Sequence, residues 1–127
     1  MSEKEIVVNI FGDEIEACCY DPMTGYFRDG FCNTDEHDYG SHVVCAVMTD
    51  DFLEFSKSKG NDLSTPRPEF NFSGLKEGDR WCLCALRWKE AYDAGVAPKV
   101  HLESCHLNSL NFVTKEQLEE HAVNRLN

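Results

Sequence analysis

Residues 42–49 read HVVCAVMT, and this run is apolar on both of the faces that a β-strand would present. Successive side chains of a strand point to opposite sides, so Val43 and Cys45 share one side while Val44 points to the other. A strand that is apolar on both sides has to be covered on both sides. The run therefore predicts a central strand, and it commits the chain to a fold that packs other elements against two faces of a sheet.

Two other segments are predicted to be strands, and a third fits either a continuous helix or a strand that leads into a helix. Residues 6–11 are β-branched and apolar, and residues 99–103 alternate in polarity as an edge strand does. From 81 to 92 the large apolar residues recur at helical spacing, which favours one continuous helix over 79–95. A short strand at 81–84 that leads into a helix is the alternative for this segment.

Capping residues mark two further helices. Thr49 or Asp50 can cap a helix over 50–59, because either side-chain oxygen accepts from a backbone N–H that lacks a helical partner. Gly60 then supplies the left-handed conformation with which many helices end. Residues 114–117 (TKEQ) match the capping box and predict a helix that starts there.

Length and composition fit one ordinary domain. The chain has 127 residues, of which 42% are hydrophobic, and this is enough to build a core without a covalent staple. Together the elements predict an α+β fold in which a small sheet is packed with three or four helices and two long ordered loops. We expect a single two-layer domain over residues 1–127, with its core over roughly 6–124.

The charge balance excludes some partners. The formal net charge is −11, with 23 acidic and 12 basic residues, and a field of that sign repels nucleic-acid phosphates and anionic lipid surfaces. Residues 1–5 lack the features of a signal peptide, and the longest apolar run, 43–48, is too short to cross a bilayer. The sequence therefore predicts a cytoplasmic protein without nucleic-acid or membrane partners.

Seven cysteines are many for a chain of this length. In a reducing compartment a disulfide framework is not expected, so each cysteine is a core residue, a metal ligand or a reactive thiol. Three lie in apolar runs and are expected in the core: Cys45, Cys82 and Cys84. Three others lie near turns, where a thiol can be exposed and reactive: Cys18, Cys19 and Cys32. Among these, Cys32 is the first candidate for a nucleophile.

Metal and cofactor motifs are weak. No CxxC pair is present, and on a helix Cys82 and Cys84 would point about 200° apart, too far to bind one ion. On a strand the same two thiols would share a face. The weak metal candidates are Cys32, His42, Cys82 and Cys84. No metal is predicted, and since neither GxxxxGK[ST] nor GxGxxG occurs, no cofactor is predicted either.

Two long irregular stretches carry the polar residues best suited to a ligand. We name residues 20–33 the first loop and residues 61–69 the second loop, and each contains one arginine that can meet an anionic group bidentately. The candidate ligand-binding residues are Arg28, Asp29, Asn61, Asp62, Ser64, Thr65 and Arg67. The candidate catalytic residues are Cys32, Asp29 and Asp62. The alternative is structural, with Arg28 bridging to Asp79 or another acid and the small polar residues bonding their own backbone.

These observations support one leading hypothesis and two alternatives. The leading hypothesis is a pocket formed by the two loops that binds a small anionic metabolite, with or without catalysis. The first alternative is a protein-interaction module whose acidic surface steers a basic partner and which presents residues 65–68 as an extended segment. The second is a domain stabilised by zinc. Whether the protein is an enzyme, and its oligomeric state, stay open.

Four blocks of sequence together resemble a known family. They are DPMTGYFRDG at 21–30, VCAVMT at 44–49, GNDLSTPRPE at 60–69 and GDRWCLCA at 78–85. The chain resembles the uncharacterised domain-of-unknown-function family 2237, and the resemblance extends from about Asn9 to Ala122. It implies a small single-domain protein of a mostly bacterial family. That family has no assigned activity, cofactor or catalytic residue, so the resemblance implies no functional residue.

Overall fold

A three-stranded antiparallel sheet forms the centre of this small α+β protein. The computed structural model describes residues 6–123. The strands are β1, His42–Val47, β2, Arg80–Cys84, and β3, Lys99–Val100, and their order in the sheet is β2-β1-β3. The predicted central strand is confirmed, because β1 pairs on both edges and residues 43–46 are completely buried.

The pairing of β1 with β2 decides which side chains meet. Cys45 lies opposite Cys82, and a register shift between His42 and Val44 places His42 opposite Cys84. Directly opposed residues of an antiparallel pair project to the same face, with Cβ atoms about 5 Å apart. The sheet therefore brings Cys45 and Cys82 together, although they are far apart in sequence.

Residues 6–123 also form three α-helices: α1, Asp50–Ser58, α2, Ala85–Asp93, and α3, Lys115–Glu120. Both predicted caps are confirmed. The Thr49 hydroxyl accepts from the backbone N–H of Phe52 at the start of α1, and Thr114 and Gln117 form the capping box of α3. Short 3₁₀ helices occupy Pro68–Phe70, Leu102–Ser104 and Leu107–Asn111. No helix among residues 6–123 is long and apolar enough to cross a membrane.

The continuous helix expected over 79–95 is wrong, and the alternative is what forms. Residues 80–84 are strand β2, and α2 begins directly after it at Ala85. Pairing with β1 satisfies the backbone hydrogen-bonding groups along one edge of β2, over the whole length of β2. On the other edge, the backbone N–H of Cys82 donates to the Thr24 hydroxyl at 2.8 Å. These long-range bonds outweigh the local helical period, which is only a weak preference.

The strands expected at 6–11 and 99–103 are much reduced. In the first segment only isolated bridges form, Val8 with Glu14 and Asn9 with His106. The Asn9 side chain accepts from two backbone N–H groups, those of Phe11 and Asp13, and so folds a turn in place of a strand. In the second segment β3 is two residues long, because a 3₁₀ helix begins at Leu102.

Candidate functional site

Four buried cysteines meet beneath the first loop. Cys18 is bonded to Cys45 and Cys32 is bonded to Cys82, so two disulfides attach the chain around the first loop to the β1–β2 pair. All four are between 0 and 4% exposed. The Sγ atoms of Cys18, Cys32 and Cys82 lie within 4.8 Å of one another. We call these four residues the cysteine cluster.

The expectation that the chain forms no disulfides is therefore wrong for four of its seven cysteines. That expectation used only the reducing compartment assumed for the protein, whereas pairing is decided by which thiols the fold places at bonding distance. Cys32, the first candidate for an exposed nucleophile, is fully buried in the cluster. The free cysteines are Cys19, Cys84 and Cys105. Burial raises the pKa of the Cys105 thiol to about 12, which keeps it protonated and unreactive.

Two of the four weak metal candidates, Cys32 and Cys82, belong to the cysteine cluster. The other two, His42 and Cys84, are outside the set of mutually close donors found among residues 6–123. Cys18 and Cys45, which complete the cluster, are not among those four candidates. Cys45 could have been found, because placing residues 81–84 on a strand beside β1 makes Cys45 a neighbour of Cys82.

A cavity of about 300 Å³ lies beside the cysteine cluster. Residues of the first loop, the second loop, β1 and β2 all contribute to its wall: Gly25, Tyr26, Arg28, His42, Leu63, Trp81 and Cys82. Both loops therefore reach this cavity, although Leu63 is the only second-loop residue that lines it. A neighbouring cavity of about 550 Å³ shares Arg28 and Trp81 with the first and is otherwise lined by residues 21–23 and 70–74, Lys76 and Asp79.

Arg28 stands between the two cavities in a constrained conformation. Its φ is 55°, in the left-handed region that residues other than glycine rarely adopt. One guanidinium nitrogen donates to the Gly25 carbonyl at 3.0 Å, and the guanidinium carbon lies 5.1 Å from the centre of the Trp81 ring. The bridge to Asp79 considered from the sequence is wrong, since Asp79 pairs with Lys76 at 3.5 Å. Arg28 is thus held by a carbonyl and an aromatic ring, and no carboxylate neutralises it within residues 6–123.

His42 and Asp38 form a hydrogen-bonded pair at the mouth of the 300 Å³ cavity. His42 Nδ1 lies 2.7 Å from Asp38 Oδ1, while the other carboxylate oxygen accepts from the His42 backbone N–H and from the Thr34 hydroxyl, each at 2.9 Å. The Asp38 side chain is 1% exposed and that of His42 is 41% exposed. Within residues 6–123, His42 Nε2 has no hydrogen-bond partner. An imidazole oriented in this way can exchange a proton with a bound molecule at Nε2.

Hydrogen bonds set the charge of Asp38. Burial acts to raise its pKa, but the bonds from the His42 backbone, the His42 ring and the Thr34 hydroxyl outweigh burial and hold the pKa below its ordinary value. The neighbouring Gly40 leaves room for the ring, because a Cβ at that position would lie 2.7 Å from His42 Cε1. Asp38 is thus a fixed carboxylate that orients His42.

The lowered pKa of Asp38 predicts a stability that depends on pH. A carboxyl group with a lower pKa in the folded state adds stability above its unfolded pKa of about 4, and this stability is lost as the pH falls through the folded pKa. We expect Asp38→Asn to lower the free energy of unfolding by about 1–3 kcal/mol at pH 7. The difference from wild type should shrink in urea titrations at progressively more acidic pH.

The control for this measurement is Glu36→Gln, because the Glu36 side chain is 86% exposed and makes only a surface contact with His37. We expect this variant to follow the wild-type curve at every pH. A difference between Asp38→Asn and wild type that stays constant from neutral to acidic pH would contradict the assignment of Asp38 as a native-state carboxylate.

Most of the polar candidates of the second loop bond to their own backbone. Asp62 accepts from the backbone N–H groups of Ser64 and Thr65 and from both of their hydroxyls. The hydrogen bond from the Thr65 side chain is the main reason why the pKa of Asp62 falls to about 2. Arg67 is exposed and pairs through its backbone with Phe72, and Asn61 bonds to Ser56 through its backbone. None of these five side chains lines the 300 Å³ cavity.

The remaining candidate of the first loop, Asp29, also forms a local turn. Its carboxylate accepts from the backbone N–H of Phe31 at 3.1 Å, and it lines a different cavity of about 560 Å³ together with Ile6 and Phe31. The site residues proposed from sequence are therefore distributed over several places. Arg28 is the one proposed ligand-binding residue that lines the 300 Å³ cavity, where it is joined by His42.

Comparison with known proteins places the chain in a family. A search of curated proteins returns no match. The model of one protein family, described as an uncharacterized protein conserved in bacteria (DUF2237), matches residues 8–122. This match spans the cysteine cluster, both loops and the three strands. The chain therefore belongs to the DUF2237 family.

Proposed function

We propose that the protein binds a small anionic molecule in the 300 Å³ cavity between the first loop and the start of β1. The observation that carries the proposal is that Arg28 and His42 line one cavity in a chain whose net charge is −11. Among residues 6–123 no carboxylate pairs with Arg28, which is held by a carbonyl and an aromatic ring. Its remaining N–H groups are available to an anion.

The size and lining of the cavity favour a small ligand. A volume near 300 Å³ is at the lower end for ligand sites, and aromatic walls with a few polar groups are typical of them. Arg28 would bind the anionic group, and Trp81 and Tyr26 would cover an apolar part. His42, oriented by Asp38, would accept a hydrogen bond from a ligand hydroxyl at Nε2 when its ring is neutral, or donate one to a ligand oxygen when its ring is charged. Whether a reaction follows binding depends on the ligand, and we propose binding alone.

Nuclear magnetic resonance tests this proposal with two probes, inorganic phosphate and malonate, added to the protein with both disulfides formed. We expect shifts of the backbone amides of Gly25, Arg28 and His42 and of the Trp81 indole. Arg28→Met, which keeps an unbranched apolar stem, should weaken binding of the probe by about tenfold or more, since it removes a charged hydrogen bond.

The matched control is Arg67→Met, which removes an exposed arginine from the second loop outside the cavity. We expect this variant to bind the probe as the wild type does. Equal weakening by the two substitutions would mean that only the general charge of the protein matters. Neither that result nor the absence of shifts at the cavity residues is compatible with the proposal.

The two alternatives have less support. The interaction module relied on an extended segment at 65–68, and in this segment Arg67 pairs with Phe72 through two backbone hydrogen bonds of 2.7 and 3.1 Å. A zinc-stabilised domain with His42 and Cys84 among its ligands has less support, because His42 is bonded to Asp38 and Cys84 lies outside the group of close donors found among residues 6–123. We further propose a two-layer packing and a cytoplasmic location, on the sequence arguments alone.

A further inference from the structure

We propose that the cysteine cluster is a zinc site when its thiols are reduced, with Cys18, Cys32, Cys45 and Cys82 as the four ligands. The two disulfides are then the oxidised, metal-free form of the same site. The proposal does not rest on the ligand cavity, because the four sulfurs meet under the first loop whether or not that cavity holds an anion.

The positions of the sulfurs carry this inference. Zinc bound by four thiolates is tetrahedral with Zn–S bonds of about 2.3 Å, so neighbouring sulfurs lie about 3.8 Å apart. Three of the four Sγ atoms, those of Cys18, Cys32 and Cys82, already lie within 4.8 Å of one another. The fourth, that of Cys45, is bonded to Cys18, and Cys45 is the cross-strand neighbour of Cys82. Opening both disulfides lets each bonded pair move apart to the tetrahedral spacing by side-chain rotation.

The backbone holds three of the four ligands, Cys18, Cys45 and Cys82, in place independently of the disulfides. Two of them, Cys45 and Cys82, are on paired strands. The backbone N–H of Cys18 donates to the Gly30 carbonyl at 2.7 Å, and that of Cys82 donates to the Thr24 hydroxyl at 2.8 Å. A side chain at Gly30 would collide with the Tyr20 ring, so this residue permits the close return of the loop. These hydrogen bonds do not depend on the disulfides, so they also hold the first loop over β1 and β2 when the cysteines are reduced.

The chemistry of the donors selects the metal. Four thiolates form a soft, symmetric set that favours zinc over calcium or magnesium, which take oxygen ligands. The cluster is also buried and closed, with four protein ligands and no open position, as structural zinc sites are. We therefore assign the site a structural and redox role, separate from any reaction in the cavity.

Oxidation of the zinc form balances with a hydroperoxide as the oxidant. The four thiolates that hold the zinc lose four electrons and form two sulfur–sulfur bonds, and the ion leaves as Zn²⁺ with its oxidation state unchanged. Two molecules of hydrogen peroxide accept these electrons together with four protons and become four molecules of water. The products are the Cys18–Cys45 and Cys32–Cys82 disulfides. A dithiol or phosphine reductant reverses the sulfur chemistry and restores the ligands.

The test uses the full chain, reduced under anaerobic conditions with a phosphine and titrated with Zn²⁺ or Co²⁺ alone. We expect one metal ion per chain, and with Co²⁺ the ligand-field and charge-transfer bands of a tetrahedral tetrathiolate. Hydrogen peroxide should then release the zinc to a coloured chelator at two equivalents per ion. The free thiols should fall from seven to the three of Cys19, Cys84 and Cys105.

Matched variants identify the ligands. Cys19→Ser and Cys84→Ser replace neighbours of two ligands and should leave both the Co²⁺ spectrum and its affinity unchanged. Cys32→Ser should change the spectrum and weaken binding by about 100-fold, as expected for losing one ligand in four. A wild-type reduced chain that stays folded and takes up no stoichiometric metal would overturn the proposal. So would a Co²⁺ spectrum that is lost in the Cys19 or Cys84 variant and kept in Cys32→Ser.

Discussion

Replacing Cys32 and Cys82 together by alanine will lower the free energy of unfolding of the oxidised protein by about 4 kcal/mol. The bond joins residues 50 apart in sequence, and the entropy that a disulfide removes from the unfolded chain grows with the length of the closed loop. The Cys18–Cys45 bond closes a segment of 27 residues, so its removal should cost slightly less, about 3.5 kcal/mol. Each loss is a large share of the 5–15 kcal/mol typical of a whole domain.

Guanidinium titrations measure these losses, with a chelator present so that no metal binds to the freed thiols. The control replaces Cys19 and Cys84 by alanine, which removes two thiols of intermediate burial that belong to no disulfide. We expect that variant to change the free energy by less than about 1 kcal/mol. If the control and the Cys32/Cys82 variant are destabilised alike, the disulfide contributes no more than ordinary packing.

Trp88→Ala should lower the free energy of unfolding by about 3–5 kcal/mol, which is the second large effect. Trp88 is fully buried on α2, and its indole N–H donates to the Pro98 carbonyl at 3.0 Å. The ring also contacts the rings of Tyr92 and His121, with centroids 5.5 and 5.6 Å away. Alanine removes the ring, leaves a cavity, and leaves the buried Pro98 carbonyl without its hydrogen-bond donor. Each of these effects lowers the free energy of unfolding.

Thermal and urea unfolding of three variants separate these contributions. Trp88→Phe keeps most of the ring and removes the N–H donor, so we expect it to cost about 1–3 kcal/mol, less than alanine. Leu86→Ala is the control on the same helix, because Leu86 is 59% exposed, and it should stay within about 0.5 kcal/mol of wild type. A Trp88→Ala variant as stable as Leu86→Ala would mean that α2 is not anchored through this ring.

Much of the fold could be predicted where local pattern and tertiary environment agree. The run at 42–49 is apolar on both faces and is the central strand, and the caps at Thr49 and Thr114 begin α1 and α3. The error at 81–84 arose because its apolar residues fit a helical period as well as a strand. Only the partner strand and the Thr24 hydroxyl distinguish the two, and both are remote in sequence.

The candidate site was less predictable. Arg28 was proposed from its place in a polar loop, and it does line the 300 Å³ cavity. The second-loop residues around Asp62 were proposed for the same reason, yet they satisfy one another within a turn. Composition does not distinguish these two outcomes, because a short polar side chain bonds equally well to a ligand or to its own backbone.

By itself, the sequence determined the α+β class, the central strand, two of the helix starts and the resemblance to a family that the comparison then established. These follow from local chemistry: side-chain alternation, capping oxygens and blocks of contiguous residues. Only the tertiary structure decided which cysteines meet and where Arg28 and His42 converge. The sulfurs of Cys32 and Cys82 are 50 residues apart in the chain, and a contact at that separation depends on the register of β1 with β2 and on the path of the first loop. No local pattern encodes either of them.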